Sequence, residues 1–379
     1  MNRKKGNIGL FFALLRAGLW ERGVRLSALG PQIPAGALDT DAVYKIAEEQ
    51  AVIGLVAAGF EHVEDRKMSK AEVLAFLKKA VSLEGRNRAM NEFVASLIGK
   101  MRAEGISALL VKGQGIAQCY ERPLWRSAGD VDLLLDAENY DKAKAFLPTI
   151  AQKVEKEDAP KKHLGMHFDN WVVELHGTLH NSFSKHSNAV LDTLLDEMFR
   201  RESIRVWDDD GTVISLPAPD YDVIVVFSHI IQHFFAGGIG LRQLCDWCRL
   251  LWTFRSDIDR ALLESRIREM TLVSEWKAFA AYAVDYLGID PEVMPLYDPA
   301  RRWSRKARRI NRYVLRSGNF GHNRDRSYYL KYNFLVRKTI SLWFIFCDFF
   351  VYLPIFPKDA LRILWHRLLY GFSVAAQGE

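Results

Sequence analysis

The sequence predicts a protein on the border of the α+β and α/β classes, with an α/β core set between two helical regions. Three observations carry that prediction. Residues 41 to 103 place apolar side chains at helical spacing, residues from about 105 to 180 alternate short β-rich runs with short helices, and helical periodicity returns after about 217. A chain of 379 residues exceeds one simple core, so about two or three packed units are expected. The divisions that follow are 1–104, an N-terminal helical region; 105–217, the α/β core; 218–299, a helical domain; and 300–379, a basic and aromatic helical C-terminal region.

Taken in order, MNRKKGNIGLFFALLRAGLW has a basic head and a short apolar run. Arg16 interrupts the run and no small-residue cleavage site follows, so it reads as an amphipathic opening helix rather than a signal peptide. DTDAVYKIAEEQAVIGLVAAGFEHV starts a helix with an Asp or Thr cap. SKAEVLAFLKKAVSLEGRNRAMNEFVASLIGKMRAEG continues in helical style, with a break into two helices allowed and Gly105 as the stop. ISALLVKG is then a strand, GQGIAQCY a helix start, DVDLLLD a strand, and ENYDKAKAFL a helix opened by Asp136 or Asn139. Short strands follow around KVEKE, MHFDN and WVVELHG. PAPDYDVIVVFSHIIQHFFAGGIGLRQLCDWCRLLW reads as two helices broken by AGGIG, and 258 to 295 is helical again.

The formal net charge of +6 suits a nucleotide, a nucleic acid or an anionic surface and requires none of them. Cys119, Cys245, Cys248 and Cys347 are too sparse for a disulfide framework, which favours a reduced, cytoplasmic protein. Cys245 and Cys248 lie within a helical pattern and lack a second pair to complete a zinc site, so they read as packing residues. TISLWFIFCDFFVYLPIF, residues 339 to 356, is barely long enough to span a bilayer and is interrupted by Asp348 and Pro354. It reads as a buried or interfacial helix pair. ARRWSRKARRINRYVLRSGNFGHNRDRS, residues 300 to 327, is a basic helix whose ordinary explanation is a solvated face. The aromatic YYLKYNFLVRKTISLWFIFCDFF beside it supports a peripheral membrane contact through residues 300–379 as the alternative.

The chemistry is concentrated in RSAGDVDLLLD. Strand alternation puts Asp130, Asp132 and Leu134 on one face, opposite Val131, Leu133 and Leu135. Asp is a poor strand former and like charges repel, so something must favour the pair there. In WVVELHG, Val172, Glu174 and His176 share a face; if the two strands are neighbours, three carboxylates converge. Bare, such acids raise one another's pKa by units. Oxygen-preferring divalent cations resolve the conflict, and two ions about 3.5–4 Å apart can clamp the attacking and leaving oxygens of a phosphoryl transfer. VKGQG precedes the acids, and its glycines let the backbone approach a ligand closely. His163, His167, His176 and His180 suggest zinc in the abstract, but no pattern fixes all four.

KGQGIAQCYERPLWRSAGDVDLLL resembles the signature of the DNA-polymerase-β-type nucleotidyltransferase superfamily, and more narrowly its group of uncharacterised bacterial nucleotidyltransferase-like proteins. The residues that carry the likeness are Lys112-Gly113, Arg126, Asp130, Asp132 and Glu174-Leu175-His176. It extends more loosely over residues 8 to 255, including RAGLWERG and SHIIQH, and leaves the final 120 residues unmatched. The resemblance implies a nucleotidyltransferase core with a small mixed sheet and a reaction dependent on two Mg²⁺ or Mn²⁺ ions. Asp130 and Asp132 would bind both ions, and Glu174 the one that activates the acceptor hydroxyl. Lys112, Gly113, Gln114 and Arg126 would form the phosphate side, and His176 would orient Glu174 from the edge of the site. The donor would be an NTP, with ATP the first expectation; the acceptor (small molecule, RNA end or protein) is not named. One departure stands out: Gln114 replaces the superfamily's usual serine, which contacts the terminal phosphates. That keeps open a catalytically inactive binding module, and the C-terminal region keeps open a peripheral membrane protein.

His229 and His233 share a helix face, and Arg242 and Asp246 are likewise spaced by one turn. They read as a polar seam between helices, or as part of a helical half closing over the nucleotide base or acceptor.

Overall fold

The computed structural model describes residues 2–23, 39–64, 69–181, 184–200, 204–323 and 334–376. Four helices come first: α1 (Asn2–Trp20), α2 (Thr40–Glu49), α3 (Ile53–Gly59) and α4 (Lys70–Ala103). Asp39 caps α2 by accepting from the Ala42 N–H, and Ser69 with Glu72 forms a capping box on α4. Two expectations are corrected here. α4 is one continuous helix, because its buried stripe of Met90, Val94, Leu97, Ile98 and Met101 stays in phase to the end. α1 is not amphipathic at the surface: from residue 6 onward only Arg16 is exposed. It crosses α3 at Gly18 and Gly59, where a Cβ would stand about 2 Å from a carbonyl oxygen of the other helix.

The α/β centre runs β1 (Leu109–Val111), α5 (Gly113–Ala117), β2 (Val131–Leu134), α6 (Ala137–Phe146), β3 (Lys153–Val154), β4 (His163–Phe168) and β5 (Trp171–His176). Of the two cap candidates for α6, Asp136 is the one that accepts, from the Asn139 N–H. The sheet is mixed, in the order β1-β2-β5-β4-β3, with β2 and β5 parallel and the other pairs antiparallel. Alternation sorts its residues as expected. Val131, Leu133, Val173 and Leu175 join Met90, Val94, Tyr140 and Leu147 in a core against α4 and α6. The opposite face carries the acids.

Next come α7 (Lys185–Arg200) and a hairpin of β6 (Arg205–Asp209) and β7 (Thr212–Leu216), neither expected from the sequence. The back half contains α8 (Pro219–Ala236), α9 (Leu241–Thr253), α10 (Arg260–Glu269), α11 (Val273–Tyr282), α12 (Arg301–Ser317), α13 (Phe334–Tyr352) and α14 (Pro357–Ala376). α8 and α9 are separated at AGGIG, as the sequence indicates. Cys245 and Cys248 are fully buried in α9 as packing residues. α12 buries Trp303, Ala307, Ile310 and Val314 and leaves Arg301, Arg302, Arg305, Arg308, Arg309 and Arg312 exposed. The end of the basic run and the YYLKYN stretch lie outside the described residues. Among the described residues no helix is long and apolar enough to cross a membrane.

Candidate active site

β1 ends at Val111 and is followed by Lys112, whose backbone is in the left-handed half of φ space (φ 57°), and by Gly113 at φ 39°. The turn reverses the chain into α5 and brings Gly113 against the Asp130 carbonyl, which a Cβ at Gly113 would approach to 3.5 Å. β1–β2 pairing sets Val111 opposite Asp132, and β2–β5 pairing sets Asp132 opposite Glu174. Asp130 heads β2 on the same side. The three acids foreseen from the sequence therefore meet on one sheet face, and all three line a single cavity with Lys112, Gly113 and Arg126.

Charge in this cluster is only partly balanced. The Asp132 Oδ1 accepts from Lys112 Nζ at 2.7 Å and lies 2.8 Å from His176 Nε2. Burial opposes the Asp132 charge, but Lys112 and His176 outweigh it and hold the carboxyl below its ordinary value. Burial opposes Glu174 as well, and His163, His176 and Lys112 together keep it low. Lys112 itself is raised: desolvation disfavours its charge, and Asp132, Asp130 and Glu174 more than reverse that. Asp130 is the exception. Asp132, burial and Glu174 push it up against the weaker pull of Lys112, so the cluster is short of positive charge at that carboxyl. This donor set fits a hard divalent cation, which would supply the missing charge through oxygen ligands.

The remaining expected residues are placed differently. Arg126 lines the cleft but commits its guanidinium to Asp246 of α9, with Nε–Oδ1 and Nη2–Oδ2 both 2.7 Å. Tyr120 Oη donates to the same carboxylate at 2.7 Å. Gln114 is not among the cavity-lining residues; its amide turns to Asn91 on α4, and its Oε1 is buried without a partner. His176 stands between Asp132 and Glu174, 3.5 Å from the latter. Asp169, the other acid near β5, lies in the β4–β5 turn with Gln152.

Over the acids sits a wall of helices. His229 and His233 of α8 line the cavity, their rings 4.2 Å apart, and burial with the nearby Lys112 charge pushes both down, His233 to about 4. Both are neutral near pH 7. Arg242 of α9 donates to the Ser127 carbonyl at 3.1 Å, while its Nε is buried without a partner. Phe320 completes the wall, 4.7 Å from the His233 ring and beneath the Arg242 guanidinium. The spacing of Arg242 and Asp246 signalled a polar helix face without saying which of them faced the acids. Phe320 gave no signal at all, because it reaches the cleft from the turn after α12, held at φ 50° between Gly318 and Gly321.

A sheet-borne acid triad beside a glycine turn, in a mixed sheet covered by helices, defines a nucleotide-transferring class of fold. The chain belongs to the family of uncharacterised nucleotidyltransferases, whose model matches residues 36–288. That match begins after the RAGLWERG stretch and extends beyond residue 255 through α11 to residue 288. Among curated proteins and solved structures, none matches. The family implies divalent metals and a nucleotide substrate in general terms.

Proposed function

We propose that the protein transfers a nucleoside monophosphate from an NTP, ATP first among them, to an acceptor hydroxyl with release of pyrophosphate, using two Mg²⁺ or Mn²⁺ ions. The observation that carries this reading is the pairing of Asp132 with Glu174 across β2 and β5, with an undercompensated Asp130 on the same face. Asp130, Asp132 and Glu174 would hold the ions, which when bound activate the acceptor oxygen and take up charge on the leaving group. The bare Gly113 turn leaves room for the triphosphate, and Lys112 and Arg242 offer charge to it. Arg126 acts at one remove by fixing Asp246 and α9. Neutral His229 and His233, with Phe320, exclude water and offer an aromatic surface to the base. Asp130→Asn is expected to abolish pyrophosphate release with each NTP while circular dichroism stays unchanged; retained turnover would refute the assignment. ATP binding without pyrophosphate release by the wild type would mean an idle binding module, a reading favoured by the way Gln114 turns to Asn91.

A second reading concerns the C-terminal helix pair. Trp343 (67% exposed), Phe350 (66%) and Trp365 (65%) stand out on α13 and α14, near Leu342, Phe346 and Leu361. Such a face suits the interfacial zone of a bilayer, with the basic α12 alongside. Vesicle flotation that is lost in Trp343→Ser/Phe350→Ser supports a peripheral membrane contact, and flotation of neither form excludes it.

A further inference from the structure

Beyond Asp132, the same sheet face carries a second donor set with different chemistry. The β4–β5 register sets His163 opposite His176, and strand alternation puts His176 on the side of Glu174. Both imidazoles bring their Nε2 atoms near one carboxylate oxygen: His163 lies 3.1 Å and His176 3.5 Å from Glu174 Oε2, the His176 nitrogen standing also 2.8 Å from Asp132 Oδ1, a contact that a bound ion would replace. All three ligand atoms fall within 4.8 Å of one another. Neighbouring ligands of an ion with bonds of about 2.0–2.1 Å stand roughly 3.0–3.4 Å apart, so both imidazoles stand near ligand spacing from the Glu174 oxygen and the trio needs only a small adjustment to hold one metal. All three come from paired strands, which hold them more firmly than loops would. Of the four histidines clustered in the sequence, the other two are otherwise engaged, His167 with Glu155 and His180 with Asp192.

We propose that His163, Glu174 and His176 form a metal centre that takes a borderline divalent ion of the zinc, iron or cobalt kind in preference to magnesium. Imidazole nitrogen favours such ions, whereas Mg²⁺ seeks oxygen and gives up water reluctantly. The centre deepens the nucleotidyl-transfer reading, on which it rests through the shared Glu174. Its ligands all line a second cavity, together with Asp158, Lys161, Thr178 and Gln232, which adjoins the cavity of Asp130, Arg126 and Arg242 and shares Lys112, Glu174, His229 and His233 with it. Glu174, which lines both cavities, would then stand between this ion and the Mg²⁺ or Mn²⁺ held with Asp130 and Asp132.

The test is a titration of the metal-free, full-length protein with Co²⁺, followed by ligand-field absorption and heat. The expected result is a stoichiometric site whose nitrogen-ligated spectrum survives about a hundredfold excess of Mg²⁺. His163→Gln and His176→Gln should each weaken it at least about tenfold, with circular dichroism confirming the fold, and Asp130→Asn should leave it intact. Displacement by magnesium, or Co²⁺ binding by His163→Gln as tight as wild type, would overturn the proposal. Pyrophosphate release separates the two readings. Cobalt held through His163 in a protein that turns over no NTP would retire the transfer and keep the centre; turnover without such a site would retire the centre alone.

Discussion

Two of the places where carboxylates crowd together among the described residues make an instructive pair. On the sheet face, Asp130, Asp132 and Glu174 stand among Lys112, His163 and His176. At the seam between α11 and α14, Glu275 stands against Asp359, only 4% exposed. The seam is resolved by a proton: burial, with a hydrogen bond to Asp359, pushes Glu275 up to about 9. The cleft is resolved by cations, which keep Asp132 and Glu174 ionised and leave Asp130 raised. At the helical seam Arg362 pairs with Asp359 and Lys306 acts only weakly on Glu275, so the more deeply buried acid takes the neutral form. An open, strand-built face keeps its acids charged, which is the state a metal or a phosphate-handling site requires.

The largest effect that sharpens this contrast is expected at a third acid, Asp246, whose cation is built into the fold. Arg126→Met would leave Asp246 buried beside Tyr120 without its bidentate partner. Breaking such a pair typically costs about 3–5 kcal/mol, to be measured as a drop in the urea midpoint. Arg126→Met combined with Asp246→Leu should recover most of the loss, since no charge is then stranded. A single variant as stable as wild type would mean that Arg242 takes over the carboxylate, and the permanence argued for this pair would be wrong.

Comparable in size at its upper bound, and reached only at high pH, is the pH response of the seam. The folded state keeps the Glu275 proton up to about pH 9, whereas the unfolded chain releases it near its ordinary value of 4.5. Stability from this group is therefore full below that value and declines as pH rises through the window up to about 9, by at most about 1.4 kcal/mol per unit. Glu275→Gln keeps the shape and removes the ionisation. Its melting temperature should pull ahead of wild type progressively from pH 5 to 9. Parallel curves for the two proteins would show that the seam holds no such proton.

How far the sequence disclosed all this depends on where each residue draws its partners. Asp130, Asp132 and Glu174 were legible because strand alternation fixes faces locally, and the adjacency of the two strands was the only further assumption. Lys112 and Gly113 followed from the glycine turn that ends β1. Arg126 carried the right charge, but its partner lies on α9, far along the chain, and nothing local announced it. The long α4 was uncertain because polar residues and glycines interrupt a stripe whose phase only the sheet's apolar face makes visible. β6 and β7 escaped notice because their alternation mixes Asp and Arg with Val and Ile, and half of the hairpin is solvated. Phe320 depends on a strained turn from a distant helix, which no periodicity encodes.

The smallest expected effect concerns the uncompensated acid in the cleft. Asp130 is raised because Asp132 and Glu174 repel its charge more than Lys112 attracts it. Asp130→Asn removes that repulsion at nearly constant volume, so the metal-free variant should be more stable than wild type by about 1 kcal/mol, the usual scale for relieving a functional conflict. Millimolar Mg²⁺ should reverse the order: it binds the folded wild type and stabilises it by mass action, whereas the variant lacks the oxygen ligand and gains less. Denaturant midpoints for both proteins, each with and without the ion, close the cycle. A variant destabilised in the absence of metal would show that Asp130 is held by the fold for structural reasons, and the difference drawn between cleft and seam would fall with it.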